Sequence, residues 1–420
     1  MFRIKILPAL ALFVACVLAP SNGVYAQQAA AIVDPDTAPN AAILIAFDRT
    51  GAQQTRILRG LADRSTGRML SADDPVRVAS ISKMVVALAV LRLTDQRVVD
   101  LDADVSTYLG WRLRHPRFPD QPITLAMLLG HRSGLADGID YALPLDVDLA
   151  QAVQNPAAWD ANRRPGGAFS YANINFPVVA AVMEGATGER FDRLMQRLIF
   201  APLRIDACFN WSGCSTAALA RAVVLYRPNG DVARDDLHGA PPACLVVPAR
   251  DGSCDMNRYR LAHSSAGFSP QGGLRISARG MARIGELLLR EGDRLISRNS
   301  WRRLTAMRRV DALPTTSVGE GGEGSFFCRY GLAIHQLASP TAPCRDDPVG
   351  DGAQRIGHSG DAYSLRSGLF VDPESGTGLA WFVTGLAETG ELRGTRSAFT
   401  AAEEALLEAG QARLRPVRRR

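Results

Sequence analysis

Lysine is nearly absent from this chain of 420 residues: 46 of its 48 basic residues are arginine, and the two lysines are Lys5 and Lys83. Aromatic residues are few, and no stretch reaches the ~18 consecutive apolar residues of a membrane-spanning helix. The patterns C-x-x-C, H-E-x-x-H and G-x-S-x-G and the P-loop are all missing, which removes the usual zinc signatures and excludes sequence-readable α/β-hydrolase and nucleotide-phosphate sites. G-x-G-x-x-G occurs at residues 319–324, but residues 325–334 after it read as a strand where a dinucleotide site needs a helix, so the segment is read as a flexible acidic loop. What remains, 47% hydrophobic and 21% charged, is the balance of a soluble globular protein.

The longest apolar run lies at the start. Arg3 and Lys5 precede residues 6–19, and Val24-Tyr25-Ala26 supplies the small residues that a signal peptidase reads. Residues 1–26 are therefore expected to be a signal peptide directing secretion to the bacterial periplasm, with no stable membrane insertion after cleavage. Removing Arg3 and Lys5 takes the formal charge from +6 to +4, and the tail arginines 413, 415, 418, 419 and 420 carry +5 of that, leaving a folded body near −1. The charge thus resides in a solvated basic tail over residues 413–420, and no nucleic-acid partner is expected.

Six cysteines remain after residue 26, in three close pairs, and an even count in an exported chain suits a disulfide framework. Proximity favours Cys208–Cys214, Cys244–Cys254 and Cys328–Cys344 among fifteen possible connectivities. A zinc site competes for these thiols, although the histidines are not interleaved with them at ligand spacing.

Lys83 is the only lysine beyond the signal segment, in a chain that uses arginine for every other positive charge. Arginine stays protonated near neutral pH, whereas a buried lysine can lose its proton and act as a base. Around it runs Ser80-Ile81-Ser82-Lys83, followed by Met84, Val85, Val86, Leu88, Ala89, Val90 and Leu91, the pattern of a buried helix opening at Ser80. Three residues on, Lys83 lies one turn away on the same face, within reach of the Ser80 hydroxyl. The helix N-terminus favours negative charge developing on that oxygen, and burial lowers the lysine pKa.

Two further segments carry polar groups suited to the same chemistry. Pro165-Gly166-Gly167 marks a turn, Tyr171 and Asn173 follow on a loop, and residues 176–183 then read as a helix. A phenol there can share a proton with Ser80 or Lys83, and a carboxamide can bind a substrate amide. Gly357-His358-Ser359-Gly360-Asp361 precedes two strand-like runs, residues 364–371 and 378–384, joined by a turn at 372–376. Glycine in such a strand allows close backbone approach.

In this order, S-x-x-K, Y-x-N and H-x-G resemble the serine β-lactamase and penicillin-binding protein superfamily, and most closely its class C β-lactamase, DD-peptidase and esterase branch. The resemblance spans about residues 40–410. Residues 123–129 running into His131-Arg132-Ser133-Gly134-Leu135 support it, as does Gly272-Gly273-Leu274-Arg275-Ile276-Ser277 before an amphipathic helix at 281–289. It implies that Ser80 is the acylated nucleophile, that Lys83 and Tyr171 transfer protons, and that Asn173, His358, Ser359, Gly360 and Asp361 bind substrate, with the Ser80 and Asp361 amides as the oxyanion hole. His358 takes the cationic position of the third motif, where lactamases have lysine; histidine is only partly charged at neutral pH, which disfavours β-lactam hydrolysis. His131 is read as structural, and His115, His238, His263 and His335 as surface or satisfied core residues.

The resemblance implies an α/β (α+β) fold of the β-lactamase/DD-peptidase type, an antiparallel sheet flanked by helices plus a mainly helical lobe. Strands are expected at 41–48 and 55–61 and a last helix at 393–407. The catalytic domain covers 27–412, with the α/β lobe at about 27–100 and 325–412. A helical lobe occupies about 101–324 and carries a disulfide-rich insertion at 204–271. The expected activity is a secreted serine hydrolase acting on a small-molecule or peptidoglycan-like acyl substrate, without cofactor or metal. An inactive binding or scaffold protein on the same fold and a true β-lactamase are the alternatives.

Overall fold

The computed structural model describes residues 41–310, 326–340, 344–387 and 394–412. The expected signal peptide, the glycine-rich acidic loop and the arginine tail lie outside the described residues.

The first two strands, β1 (Ala42–Asp48) and β2 (Gln53–Arg59), form a hairpin. Late in the chain come β3 (Arg308–Arg309), β4 (Arg329–Tyr330), β5 (His335–Leu337), β6 (Arg355–Ala362), β7 (Leu365–Asp372) and β8 (Thr377–Thr384). Together they make an eight-stranded antiparallel sheet in the order β3-β4-β5-β6-β7-β8-β1-β2. The early hairpin joins the late strands where β1 pairs with β8, Ile45 opposite Ala380. β1 is apolar at nearly every position because both faces of the sheet are covered. Ile43, Ile45 and Phe47 join the large core beneath helices α1 (Ile81–Asp95) and α3 (Ala278–Leu289). Ala42 and Leu44 turn the other way, to Phe370, Trp381, Leu406 and Leu407 under the C-terminal helix α4 (Ala401–Ala412).

Helix α1 is the centre of the molecule, with 12 of its 15 residues buried. Helix α2 (Asn175–Thr187) packs against the short helices Ser106–Leu109 and Leu125–Leu129 in the helical region. Helix α3 starts at residue 278 because the Ser277 hydroxyl accepts from the Gly280 amide at 3.1 Å. It lies flat on the sheet: a β-carbon at Gly285 would sit 2.1 Å from the Phe47 ring. The sheet layer therefore also takes α3 and β3 from the stretch that the sequence assigns to the helical lobe.

Two segments differ from expectation. Residues 325–334 were expected as one strand, but the described part turns at Gly331, whose amide donates to the Ile334 carbonyl, and yields only β4 before β5. The last helix begins at Ala401 rather than 393. A capping box sets that start: the Glu403 amide donates to Thr400 Oγ1 at 3.2 Å, and the Thr400 amide to Glu403 Oε2 at 3.1 Å. The loop before it is held by Glu404, whose carboxylate accepts from the amides of Thr395, Arg396 and Ser397.

All six cysteines pair as proximity suggests: Cys208–Cys214, Cys244–Cys254 and Cys328–Cys344. The insertion at 204–271 holds two of these bridges and otherwise consists of short strands, single turns and loops.

Candidate active site

The turn leading to Ser80 is built by three neighbours. Val76–Arg77 pairs with Leu274–Ile276, and the Val78 amide continues that pairing to the Leu274 carbonyl at 3.1 Å. Ala79 then adopts φ +49°, a left-handed conformation that costs an alanine about 1 kcal/mol or more. The turn is held from both sides. Ser82 Oγ donates to the Ala79 carbonyl at 2.6 Å and accepts from the Leu274 amide at 3.0 Å, while Ser367 Oγ on β7 donates to the Val78 carbonyl at 2.9 Å. These contacts explain the Gly272-Gly273-Leu274 phrase: it forms the strand beside the residues leading to Ser80.

Ser80 is the N-cap of α1, half-buried, and its hydroxyl makes no capping bond, which leaves it available to Lys83. Lys83 is fully buried. Its Nζ donates to Ser80 Oγ at 2.9 Å, to Asn173 Oδ1 at 2.8 Å and to the Gln271 carbonyl at 2.8 Å. Two of these partners are carbonyl oxygens and can only accept. A neutral amine has two N–H groups and one lone pair, so when its N–H groups serve the two carbonyls the lone pair faces the Ser80 hydroxyl.

Tyr171 brings its ring to Lys83, with Nζ 4.9 Å from the ring centroid. It is stacked between His131 at 4.3 Å and Phe327 at 5.0 Å. The loop carrying Tyr171 and Asn173 rests on the His131–Leu135 phrase. The Ser170 amide donates to the His131 carbonyl at 2.8 Å, the Ala172 amide to His131 Nδ1 at 3.1 Å, and Ser133 Oγ to Asn175 Oδ1 at 2.6 Å. His131 therefore supports the loop, as its reading as structural implies. Asn173 is gripped from outside by Asp137: Oδ2 accepts from the Asn173 amide at 2.8 Å and from Asn173 Nδ2 at 2.9 Å, and Oδ1 from the Ile174 amide at 2.9 Å. Sequence reasoning did not single out Asp137.

The third motif lies on β6. A β-carbon at Gly360 would fall 2.3 Å from the Val78 carbonyl oxygen and 3.2 Å from the Ala79 β-carbon, so only glycine lets β6 run against the turn before Ser80. Asp361 follows it, with an exposed side chain paired to Arg366. Ser359 is buried, with Oγ 3.4 Å from His335 Nε2.

His358 is fully buried, and here the structure departs from the cationic role expected of it. Nδ1 donates to the Ser359 carbonyl at 2.6 Å, and Nε2 lies 2.9 Å from the Tyr330 hydroxyl, which can donate to the neutral ring. Burial first, and then the charge of Lys83, push its pKa down to about 3. His131, held down by burial and by Lys83, and His335, held down by burial and by His358, are likewise kept well below the ordinary histidine range. Sequence reading put His335 outside the site, yet its ring lies 5.2 Å from that of His358. Three neutral imidazoles with Tyr171, Phe327 and Tyr330 thus form one desolvated wall of the site. Among the described residues, the His/Cys/Asp/Glu group at metal-ligand spacing is Cys328, Cys344 and Asp346, and both sulfurs belong to the disulfide.

The chain is similar to known proteins. Esterase EstB of Burkholderia gladioli is 33% identical over 178 residues, 38% of this chain and 44% of the esterase. The D-alanyl-D-alanine-carboxypeptidase/endopeptidase AmpH of Escherichia coli is 26% identical over 163 residues, 35% of this chain and 40% of that protein. The chain thus spans less than half the length of these curated relatives. The D-amino acid amidase of Ochrobactrum anthropi SV3 shares the fold, with a TM-score of 0.63 at 18% identity over 93% of this chain and 100% of that one. A Beta-lactamase family model matches residues 27–402, and the chain belongs to that family.

Proposed function

We propose that the chain is a secreted, periplasmic serine hydrolase that cleaves an ester or amide bond through an acyl-enzyme on Ser80. The observation that carries the reading is the 2.9 Å contact between Lys83 Nζ and Ser80 Oγ, beside two carbonyl oxygens, Asn173 Oδ1 and that of Gln271, that accept from Nζ. Neutral Lys83 takes the Ser80 proton as Oγ attacks the substrate carbonyl, and the amides of Ser80 and Asp361 receive the oxyanion. When the tetrahedral adduct collapses, the proton held by Lys83 passes to the departing oxygen or nitrogen, with Tyr171 beside the transfer. Water then attacks the acyl group and returns Ser80 to its hydroxyl form.

Short acyl esters and D-amino-acid amides or peptidoglycan-like peptides suit this site better than β-lactams. His358 is neutral and buried, so the third motif offers no cation to a substrate carboxylate. The esterase and carboxypeptidase relatives point the same way. Three disulfides in the described residues support an exported protein. The test is turnover of p-nitrophenyl butyrate, a D-amino-acid anilide and a chromogenic cephalosporin by wild type and Ser80→Ala. Ester or anilide turnover that depends on Ser80, with slow cephalosporin clearance, is expected; fast cephalosporin clearance would make the protein a β-lactamase.

A further inference from the structure

We infer that Asp137 is a positioning residue that fixes the orientation of the Asn173 carboxamide and, through it, the proton balance of Lys83. The inference rests on the Ser80–Lys83 reading above. A carboxamide has two faces of opposite polarity, and which one meets Lys83 decides what the amine can do. The Asp137 carboxylate accepts from Asn173 Nδ2 at 2.9 Å and from the Asn173 backbone amide at 2.8 Å, so the NH2 group points out to Asp137 and Oδ1 points in to Lys83, at 2.8 Å. A carboxylate has no proton to donate, so the reverse orientation would set the Asn173 oxygen against the Asp137 oxygens.

The consequence falls on the lone pair of Lys83. With Oδ1 facing it, Asn173 accepts an N–H of the amine, as the Gln271 carbonyl does, and the Ser80 hydroxyl oxygen lies 2.9 Å from Nζ, where the lone pair of the neutral amine can take its proton. With the amide reversed, the Asn173 NH2 would donate to that lone pair in competition with the Ser80 hydroxyl, and the protonated amine would face a donor. Loss of Asp137 therefore makes Lys83 a poorer-aimed base and a less stable cation together. The other titratable groups facing Lys83 are Tyr171, His131 and His358, and burial together with the Lys83 charge holds both imidazoles neutral.

The lysine count makes this measurable. In protein labelled with [13Cε]lysine only Lys5 and Lys83 give signals, and Lys83 is assigned by its loss in Lys83→Arg. Its titration is followed by NMR in wild type, Asp137→Asn and Asp137→Glu, beside the pH profile of acylation by a fluorophosphonate. In Asp137→Asn the Lys83 midpoint is expected to fall by about half a pH unit or more, and the acid limb of the acylation profile moves down with it while the plateau rate drops about tenfold. Asp137→Glu keeps the charge and the acceptors and restores part of the rate with the midpoint near that of wild type. A side chain that merely holds the loop would lower the rate without moving the midpoint, and an unchanged midpoint overturns the inference. Should Asp137→Asn not fold, Asp137→Ala removes the carboxylate and both acceptor oxygens, and a shift in the same direction is expected. If wild type takes no fluorophosphonate the hydrolase reading fails, and the Lys83 titration still decides the role of Asp137.

Discussion

Gly360 lies directly against the carbonyl oxygen of Val78, two residues before Ser80, with room for no β-carbon: one placed there would be 2.3 Å from that oxygen. It would also be 2.4 Å from Ser367 Oγ, the group that donates to the same carbonyl. Gly360→Ala is expected to push β6 off the turn at a cost of about 1–3 kcal/mol in stability. Acylation should fall further than the melting shift explains, because the Asp361 amide moves with the strand. A variant that melts lower yet acylates at the wild-type rate would detach the third motif from the oxyanion role.

Lys83 separates base from charge. Lys83→Arg keeps a cation but cannot release its proton, and acylation is expected to fall about 100–10,000-fold. Lys83→Met is expected to lose activity equally while melting no lower than Lys83→Arg, because it removes a buried charge instead of misfitting one. Stopped-flow acylation and melting curves on the two variants check this pair. Substantial activity in Lys83→Arg would end the proton-transfer role.

Stability should depend on pH through the buried wall of the site. His358 has its pKa pushed down to about 3 by burial and then by Lys83, and His131 and His335 are shifted the same way, so each binds its proton only on unfolding and loses stability as pH falls below ~6.5. Glu184 and Glu403 run opposite: burial raises both to about 7, so their contribution is full below ~4.5 and is lost as pH rises towards 7. Between roughly pH 4.5 and 6.5 three histidines oppose two glutamates, each at up to about 1.4 kcal/mol per pH unit. The melting temperature is therefore expected to fall modestly from pH 6.5 to 5. His335→Phe, which removes one histidine and keeps an aromatic ring, should flatten that slope; an unchanged slope would show that His335 takes up no proton on unfolding.

The disulfides give a mass test. Alkylation of denatured, unreduced protein should modify none of Cys208, Cys214, Cys244, Cys254, Cys328 and Cys344, and reduction first should open all six. Closing each short loop is expected to contribute roughly 2–3 kcal/mol. Protein recovered from the periplasm should carry no Cys16 alkylation, because the expected cleavage after Ala26 removes it.

Much of this site is legible in the sequence because its signals are local. Ser80 and Lys83 are one helical turn apart, and the lysine count singles out Lys83 without any structure. The cysteines pair with their sequence neighbours. What escaped depends on distant contacts. Asp137 reaches Asn173 across 36 residues, and nothing in its own neighbourhood marks it among the other aspartates. The residue type at 358 is plain, but its charge depends on burial and on Tyr330, 28 positions away. The start of the last helix is also written in the sequence: Thr400-Ala401-Ala402-Glu403 is a capping box, and residues 395–397 before it belong to the loop that Glu404 holds.

The most direct test of the central claim is the intact mass of the protein after exposure to a fluorophosphonate, on wild type beside Ser80→Ala. One adduct on wild type, mapped to Ser80 and absent from the folded variant, is expected. A folded wild type that takes no adduct, or an adduct that persists in Ser80→Ala, would contradict it.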